Sequence, residues 1–322
     1  MSKKTKLDIS ITVSGGSEKF IIPCLGSLYE NLKEPAQVFL TSNLASDSIY
    51  DEIKRKFPEV SIIKNNVKKG FAENHNNIIE KTNGEYILIL NDDTVVLDNA
   101  IEKLIAYMNK NPDVAVISPQ LLNSDLSLQH STYGFPNLFT TTLGILGIRK
   151  LIPFNKFTYK FVSFFFKRGG SRFWEHNKTC EVDTMRGACV LVRRKAIEEV
   201  GLMDEVSLAY GEETEWHYRF KKGGWKIIFY PEAQTIHYGG QTTKNQPLHI
   251  KKEEIKGSLN FYRKHRNILE YFSLRVMIIF TVFLKWIFNF IIQQKGKANL
   301  YLNIIKIALN PGKAFQGKRV FY

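Results

Sequence analysis

The sequence predicts an α/β protein: a parallel sheet with helices on both faces, followed by a helical tail that is both basic and apolar. Three observations carry this. Strand and helix patterns alternate at short spacing over the first 120 residues, as they do when each strand is followed by a covering helix. Tyr86 to Leu90 is an unbroken apolar run between Gly84 and the pair Asp92-Asp93, which suits a strand buried on both faces. Beyond Thr243 the charge balance changes: residues 244–322 hold 15 basic and 3 acidic side chains, against 30 and 28 in residues 1–243.

Taken in order, Leu7 to Val13 reads as the first strand, and Phe20 to Leu32 has apolar residues at helical spacing. Val38 to Leu40 is a short strand ending at Thr41, Ser42 and Asn43. A second helix, Asp47 to Phe57, is closed by Pro58. Val60 to Ile63 is a strand, Phe71 to Lys81 a helix and Tyr86 to Leu90 the buried strand. Asn99 to Asn109 then forms a helix and Val114 to Ser118 a strand. Ligands of open sheets bind beyond the carboxyl ends of strands, and Ser14, Ser42 with Asn43, and Asn91 to Thr94 all fall at such ends. From Tyr133 to Trp174 the periodicity fails among aromatics such as Phe161 and Phe164 to Phe166, so residues 133–174 read as a variable insertion. Order returns over Val182 to Val192, with helices at Lys195 to Val200 and Glu212 to Lys222 and a strand at Trp225 to Tyr230. His237 and Gly239-Gly240 follow. The chain therefore divides into a domain at 1–243 and a helical tail at 244–322.

Composition narrows the class. With 322 residues, 44% of them hydrophobic and 24% charged, the chain fills a sizeable core and is neither fibrous nor disordered. Cys24, Cys180 and Cys189 lie far apart and form no C-x-x-C pair, which argues against a disulfide framework or structural zinc and for a reducing compartment. The apolar stretch Ile9 to Val13 is broken by Ser10 and Thr12 and does not read as a cleavable signal peptide.

Three groups of residues can do chemistry. Asn91-Asp92-Asp93-Thr94 places oxygen ligands at a strand end, which suits Mg2+ or Mn2+ with phosphate oxygens completing the shell; the alternative is a turn in which Asp caps the next helix. Glu212-Glu213-Thr214-Glu215 opens a predicted helix, where carboxylates also occur simply because they complement the helix dipole. His237, after a strand and before glycines, is either an ordinary loop residue or a ligand to metal or phosphate.

In this order and spacing the chain resembles the inverting glycosyltransferases of family 2, in particular the rhamnosyltransferase-like branch that builds bacterial surface polysaccharides. The resemblance covers about residues 7–243. Gly70-Phe71-Ala72-Glu73-Asn74-His75-Asn76 looks like the family's G-F-x-x-x-H/N-N loop, and Leu90-Asn91-Asp92-Asp93 like its L-N-x-D version of the D-x-D motif. Further matches are Glu181-Val182-Asp183 through Gly187-Ala188-Cys189 with Arg193-Arg194, Gly201-Leu202-Met203-Asp204-Glu205, Glu212-Glu213, Gly224-Trp225 and His237 with Gly239-Gly240.

The resemblance implies a GT-A fold, with a Rossmann-like mixed sheet, and single-displacement transfer of a sugar from a nucleotide-diphosphate donor. It implies Asp93 and His237 as metal ligands, and Ser14, Ser42, Asn43, Gly70, Phe71, His75, Asn76, Asn91 and Asp92 as donor-binding residues. Asp183 and Gly187 would bind the acceptor. Glu213 would be the base that takes the acceptor proton, worth about 10² to 10⁴ in rate; the family usually has Asp after Glu there, so Glu212 is a possible substitute. Two positions depart from the family. Its first strand usually ends in V-x-Y-N, where this chain has Val13-Ser14-Gly15-Gly16, and its second in V-D-N, where this chain has Thr41-Ser42-Asn43. A serine hydroxyl accepts a hydrogen bond from a base more weakly than a carboxylate does. The Q-x-x-R-W pattern of processive synthases is absent, so one sugar per encounter is expected. Rhamnose from a thymidine diphosphate donor follows from the resemblance alone.

Leu274 to Ile292 is 19 residues long and apolar, close to the ~20 that a membrane span needs. Lys285 within it would cost about 2.5 to 3.5 kcal/mol in a span, whereas an in-plane amphipathic helix avoids that cost, and Tyr301 to Leu309 reads as a second such helix. A core helix packed on the domain fits the same pattern. The expectation is a peripheral enzyme on the inner face of the cell membrane, in the cytoplasm, acting on a lipid-linked or oligosaccharide acceptor. Its basic residues alternate with aliphatic runs and no nucleic-acid motif is present, which excludes nucleic acid as a partner. The competing reading is a catalytically weak relative that scaffolds a polysaccharide assembly complex.

Overall fold

The computed structural model describes residues 7–14, 16–33, 35–146, 176–207, 209–239 and 247–312. Residues 147–174 of the aromatic insertion, Gly15, Gly240 and the expected boundary at 243 lie outside these. Four strands run parallel in the order β3 (Ser61–Lys64), β2 (Ala36–Asn43), β1 (Leu7–Ser14) and β4 (Tyr86–Asn91). The helices α1 (Ile21–Asn31), α2 (Asp47–Lys56) and α3 (Phe71–Lys81) fall between them in the chain, as the alternation predicts.

The second half makes the sheet mixed. Strand β11 (Cys189–Arg193) inserts antiparallel between β4 and β6 (Val114–Leu122), and β12 (Lys226–His237) runs parallel to β6. A three-residue strand, β5 (Thr94–Val96), closes the edge antiparallel to β12. This corrects one alternative: Asp92 and Asp93 form a turn between two strands, and helix α4 (Ala100–Lys110) is entered instead through Asn99. The strand expected to stop at Tyr230 continues to His237, because a register shift between Tyr230 and Gln234 accommodates Pro231, which cannot donate to the ladder.

Both faces of β4 are buried. Tyr86, Leu88 and Leu90 join one apolar cluster with α1, α2 and α4, and Ile87 and Ile89 join the other, with α3, α6 (Arg194–Val200) and α7 (Glu212–Lys222). The segment expected as one ordered run from Val182 to Val192 holds two short strands in the structure, one at 184–185 and β11, with a third just before the segment. β9 (Cys180–Glu181) pairs with β12; β10 (Thr184–Met185) pairs with β8 (Thr132–Tyr133), just after β7 (Leu128–Gln129) on the edge of β6. Helix α5 (Leu138–Leu146) stands where periodicity failed, since it has no charged residue and its three threonines are consecutive, which gives no helical period.

The tail forms three helices, α8 (Pro247–His265), α9 (Ile268–Ile291) and α10 (Lys295–Leu309), around a third apolar cluster that includes Ile145 of α5. Leu274, Ile278 and Val282 form the buried stripe of α9, at helical spacing. Its two cations are used at helix ends: Arg275 donates to the carbonyls of Ala308 and Leu309 (2.8 Å each), and Lys285 Nζ to that of Ile145 (2.5 Å). α8 is bound to the sheet domain by Lys264 on Asp204 (2.6 Å) and His265 on Glu215 (2.9 Å). Its Gly257 lies so close to Tyr210 that an added Cβ would sit 2.3 Å from that carbonyl oxygen.

Candidate active site

The β4–β5 turn is held from three sides. The Asn91 N–H donates to the Ala188 carbonyl (2.9 Å), Thr94 Oγ1 to the Asn91 carbonyl (2.7 Å), and Ser17 Oγ to the Asp92 carboxylate. Burial pushes the Asp92 carboxyl up to about 7, against the Ser17 hydrogen bond and with help from Asp93. Asp92 thus ties the turn to the loop after Ser14, whose carbonyl also accepts from Ser17 (2.9 Å).

Asp93 Oδ1 lies 3.3 Å from His237 Nε2, an arrangement made by the pairing of β5 with β12. The amide of Gln129 donates through Nε2 to the His237 carbonyl (2.8 Å) and to Asn123 (3.0 Å), so its Oε1 faces His237 Nδ1 at 2.6 Å. That oxygen takes a proton on Nδ1 and leaves Nε2 as the ring atom toward Asp93, with the Asn91 amide 3.4 Å away. This is how a second partner orients a metal-binding imidazole. Among the described residues no three His, Cys, Asp or Glu converge on one point. The pair fits a divalent cation whose remaining ligands are water and phosphate, and the imidazole nitrogen suits Mn2+ better than Mg2+.

Glu213 opens α7, half-buried beside Gly187 and Phe71. A Cβ on Gly187 would sit 2.9 Å from Glu213 Oε1 and 3.2 Å from Phe71 Cζ, so only glycine admits this approach. Burial raises the Glu213 carboxyl above the usual carboxylate range, opposed by nearby backbone N–H groups and by Arg186. Glu212 is held well above that range by burial and by the charges of Glu213 and Glu253 of α8. The two glutamates therefore face different neighbours, Glu213 the Gly187 segment and Glu212 the tail helix.

The remaining predicted residues hold loops together. Asn43 clasps the backbone of Lys69, donating to its carbonyl (2.8 Å) and accepting from its N–H (2.7 Å), just before Gly70 opens α3. Asn76 does the same for Met203 and also donates to Glu205 (2.9 Å). His75 is fully buried, its Nδ1 2.7 Å from Ser10 Oγ, and burial lowers it to about 3, so it is neutral. The Ser42 hydroxyl is engaged within the chain by Tyr50 and by the Ala45 N–H (3.3 Å). Asp183 Oδ2 accepts from the Phe135 N–H at 3.4 Å.

Three residues have no role in the sequence reading. Arg186 donates to Tyr133 OH (2.9 Å) and approaches Gln129 Oε1 (3.5 Å) while its charge acts on Glu213. A chain of side chains thus runs from Asp93 through His237 and Gln129 to Arg186, and the Arg186 charge reaches Glu213. Arg186 lies inside a family motif and could have been singled out; Gln129 and Ser17 lie in none.

The sequence model of the family described as Glycosyl transferase family 2 matches residues 11–201. The chain is 23% identical over 255 residues to an N-acetylglucosaminyl-diphospho-decaprenol L-rhamnosyltransferase of Mycobacterium tuberculosis, covering 74% of this chain and 78% of that one. It is 22% identical over 246 residues to the low-salt glycan biosynthesis hexosyltransferase Agl10 of Haloferax volcanii, covering 75% and 68%. In structure it is similar to GalNAc-T7 with UDP, GalNAc and Mn2+ (TM-score 0.57, 13% identity), over 82% of this chain and 48% of that one. It is also similar to the mannosyltransferase PcManGT of Pyrobaculum calidifontis with GDP-Man and Mn2+ (TM-score 0.53, 11% identity), over 99% and 77%.

Proposed function

The chain belongs to glycosyl transferase family 2 and is a glycosyltransferase of GT-A fold; from that premise we propose that it transfers one sugar per encounter, with inversion, from a nucleotide-diphosphate donor to a lipid-linked saccharide. The observation that supports this most directly is the pairing of Asp93 with His237, held through Gln129 to Arg186, whose charge in turn acts on the buried carboxyl of Glu213. Asp93 and His237 would hold Mn2+ or Mg2+ at the donor diphosphate, and Gln129 keeps a proton on His237 Nδ1. When bound, the cation neutralises charge on the departing nucleoside diphosphate as a Lewis acid. Glu213 takes the acceptor hydroxyl proton as the new bond forms to the sugar's anomeric carbon and the bond to the diphosphate breaks on the opposite face. Its raised proton affinity makes it a stronger base than an exposed glutamate.

The Mycobacterium tuberculosis relative acts, by its name, on a prenol-diphosphate saccharide, and a carrier of that kind suits this chain's tail. Phe272, Val276, Phe280, Phe283 and Phe290 of α9 are exposed on the side opposite its buried stripe, within a segment of strong positive charge. α9 is long and apolar enough to cross a membrane. Surrounding it with lipid would, however, strip its buried stripe from the third core and free Lys285 from Ile145. We therefore assign it to the plane of an anionic surface, on the cytoplasmic side of the cell membrane.

The test is a thermal-shift screen of nucleotide-diphosphate sugars with Mn2+, thymidine diphosphate rhamnose first, followed by transfer to a prenol-diphosphate saccharide. Glu213→Gln retains the donor-dependent shift and loses about 10² to 10⁴ in transfer. Transfer at the wild-type rate in that variant refutes the assignment. Failure of every donor to shift the wild type favours the scaffold reading.

A further inference from the structure

One cavity is lined by none of Asp93, Gln129, Arg186, Glu213 and His237. It occupies about 320 Å³ between α5, α8 and the turn that opens α7. Tyr133, Phe135 and Phe261 supply aromatic rings to its wall, and Thr140, Thr214 and Ser258 supply hydroxyls. Thr140 Oγ1 donates to the Asn137 carbonyl (3.2 Å) and Ser258 Oγ to that of Glu254 (2.9 Å). Their protons are committed, so these hydroxyls offer lone pairs to a ligand that brings its own donors. Among the described residues the wall has two charged side chains, Lys251 and Glu254, which are of opposite sign and sum to no net charge for a diphosphate. Aromatic faces for C–H surfaces, with hydroxyl oxygens for donors, suit a saccharide. The volume lies at the low end of the range for small-molecule pockets, ~300 to 1,000 Å³, which matches one or two sugar rings rather than a long glycan.

The surroundings say which saccharide. Thr214 follows Glu213 directly, Tyr133 OH accepts from Arg186, and the Phe135 N–H donates to Asp183. At the other end Ile145 lines the cavity, and its carbonyl binds Lys285 of α9, the helix whose opposite side is exposed and apolar. The wall thus takes in Thr214, the residue after the base, and Ile145, whose carbonyl binds the apolar helix. We propose that it is the subsite for the acceptor saccharide, with one hydroxyl presented to Glu213 and the apolar carrier running along α9. This rests on the reading of the chain as a transferase to lipid-linked acceptors, and names the part of the acceptor that the protein encloses.

The test uses the full chain and octyl glycosides, N-acetyl-β-D-glucosaminide and β-D-glucoside, with octanol as the chain lacking a sugar. Binding is read by saturation-transfer NMR. The wild type and Glu213→Gln bind at least one glycoside through its sugar protons; Ser258→Trp and Thr140→Trp, which fill the cavity, weaken that binding at least tenfold. Both filled variants keep the wild-type thermal shift with nucleotide-diphosphate donor and Mn2+. Against any loss of folding in them, an aryl-diazirine glycoside is photolysed on the wild type, with labels expected in residues 133–145 and 251–261. Octanol binding as well as the glycosides, unchanged affinity in the filled variants, labels elsewhere, or no glycoside binding to the wild type each overturn the proposal. Loss of donor binding or hydrolysis in the wild type strikes the transferase reading instead and leaves the glycoside results to stand alone.

Discussion

Replacing Gly187 by alanine tests whether the position of Glu213 is what the site is built to secure. The added Cβ would lie 2.9 Å from Glu213 Oε1, 3.0 Å from its Cγ and 3.2 Å from Phe71 Cζ. Ordinary contact begins near 3.4 Å, so the carboxylate must retreat by about 0.5 Å, while Phe71, packed on His75 with ring centroids 4.4 Å apart, limits any shared adjustment. A misplacement of 1 Å in a reacting group can cost about 10²-fold, so half that distance predicts a fall in kcat of about tenfold. The base itself is still present. Gly187→Ala therefore keeps the acidic limb of the pH–rate profile and the donor-dependent thermal shift, and loses far less than Glu213→Gln, for which about 10² to 10⁴ is expected. The assay is steady-state transfer at saturating donor and acceptor, with Tm as a check on folding. A folded Gly187→Ala protein with wild-type kcat refutes the argument that Gly187 sets the position of a catalytic carboxylate.

Transfer falls with decreasing pH through a Glu213 pKa raised by burial, so the acidic limb of kcat lies above the ordinary glutamate range; a limb at or below that range contradicts the assignment. Glu212 has the same direction of shift, so the folded state binds its proton more tightly than the unfolded chain does. Its contribution to stability is present at low pH and is lost as pH rises through the raised pKa. Glu212→Gln should thus raise Tm at pH 8 more than at pH 5 while keeping the acidic limb of kcat, and an equal effect at both pH values refutes the buried charge. Gln129→Leu removes the acceptor for the His237 Nδ1 proton and weakens Mn2+ binding by about 10 to 100-fold in direct titration; unchanged affinity removes His237 from the cation site. Phe280→Asp with Phe290→Asp, both on the exposed side of α9, abolishes sedimentation with phosphatidylglycerol vesicles at unchanged Tm. Vesicle binding that survives both substitutions places the membrane contact elsewhere.

What the linear sequence determined is what depends on short-range pattern. The continuous apolar run at Tyr86 to Leu90 announced a strand buried on both faces, and its residues do alternate between the two cores. The acidic turn after it and the glutamates opening α7 were visible because charged groups at strand and helix ends are conspicuous. Only the tertiary structure decided how these ends meet. β11 and β12 arrive from distant parts of the chain, and their pairing sets His237 beside Asp93 and Ala188 beside Asn91. Gln129 and Arg186 carry no periodic signal, since their importance lies in contacts across long stretches of sequence. The two glutamates are adjacent in sequence and chemically alike. They differ because helical geometry turns one toward the glycine at 187 and the other toward α8, a distinction that exists only once the tail has folded onto the sheet.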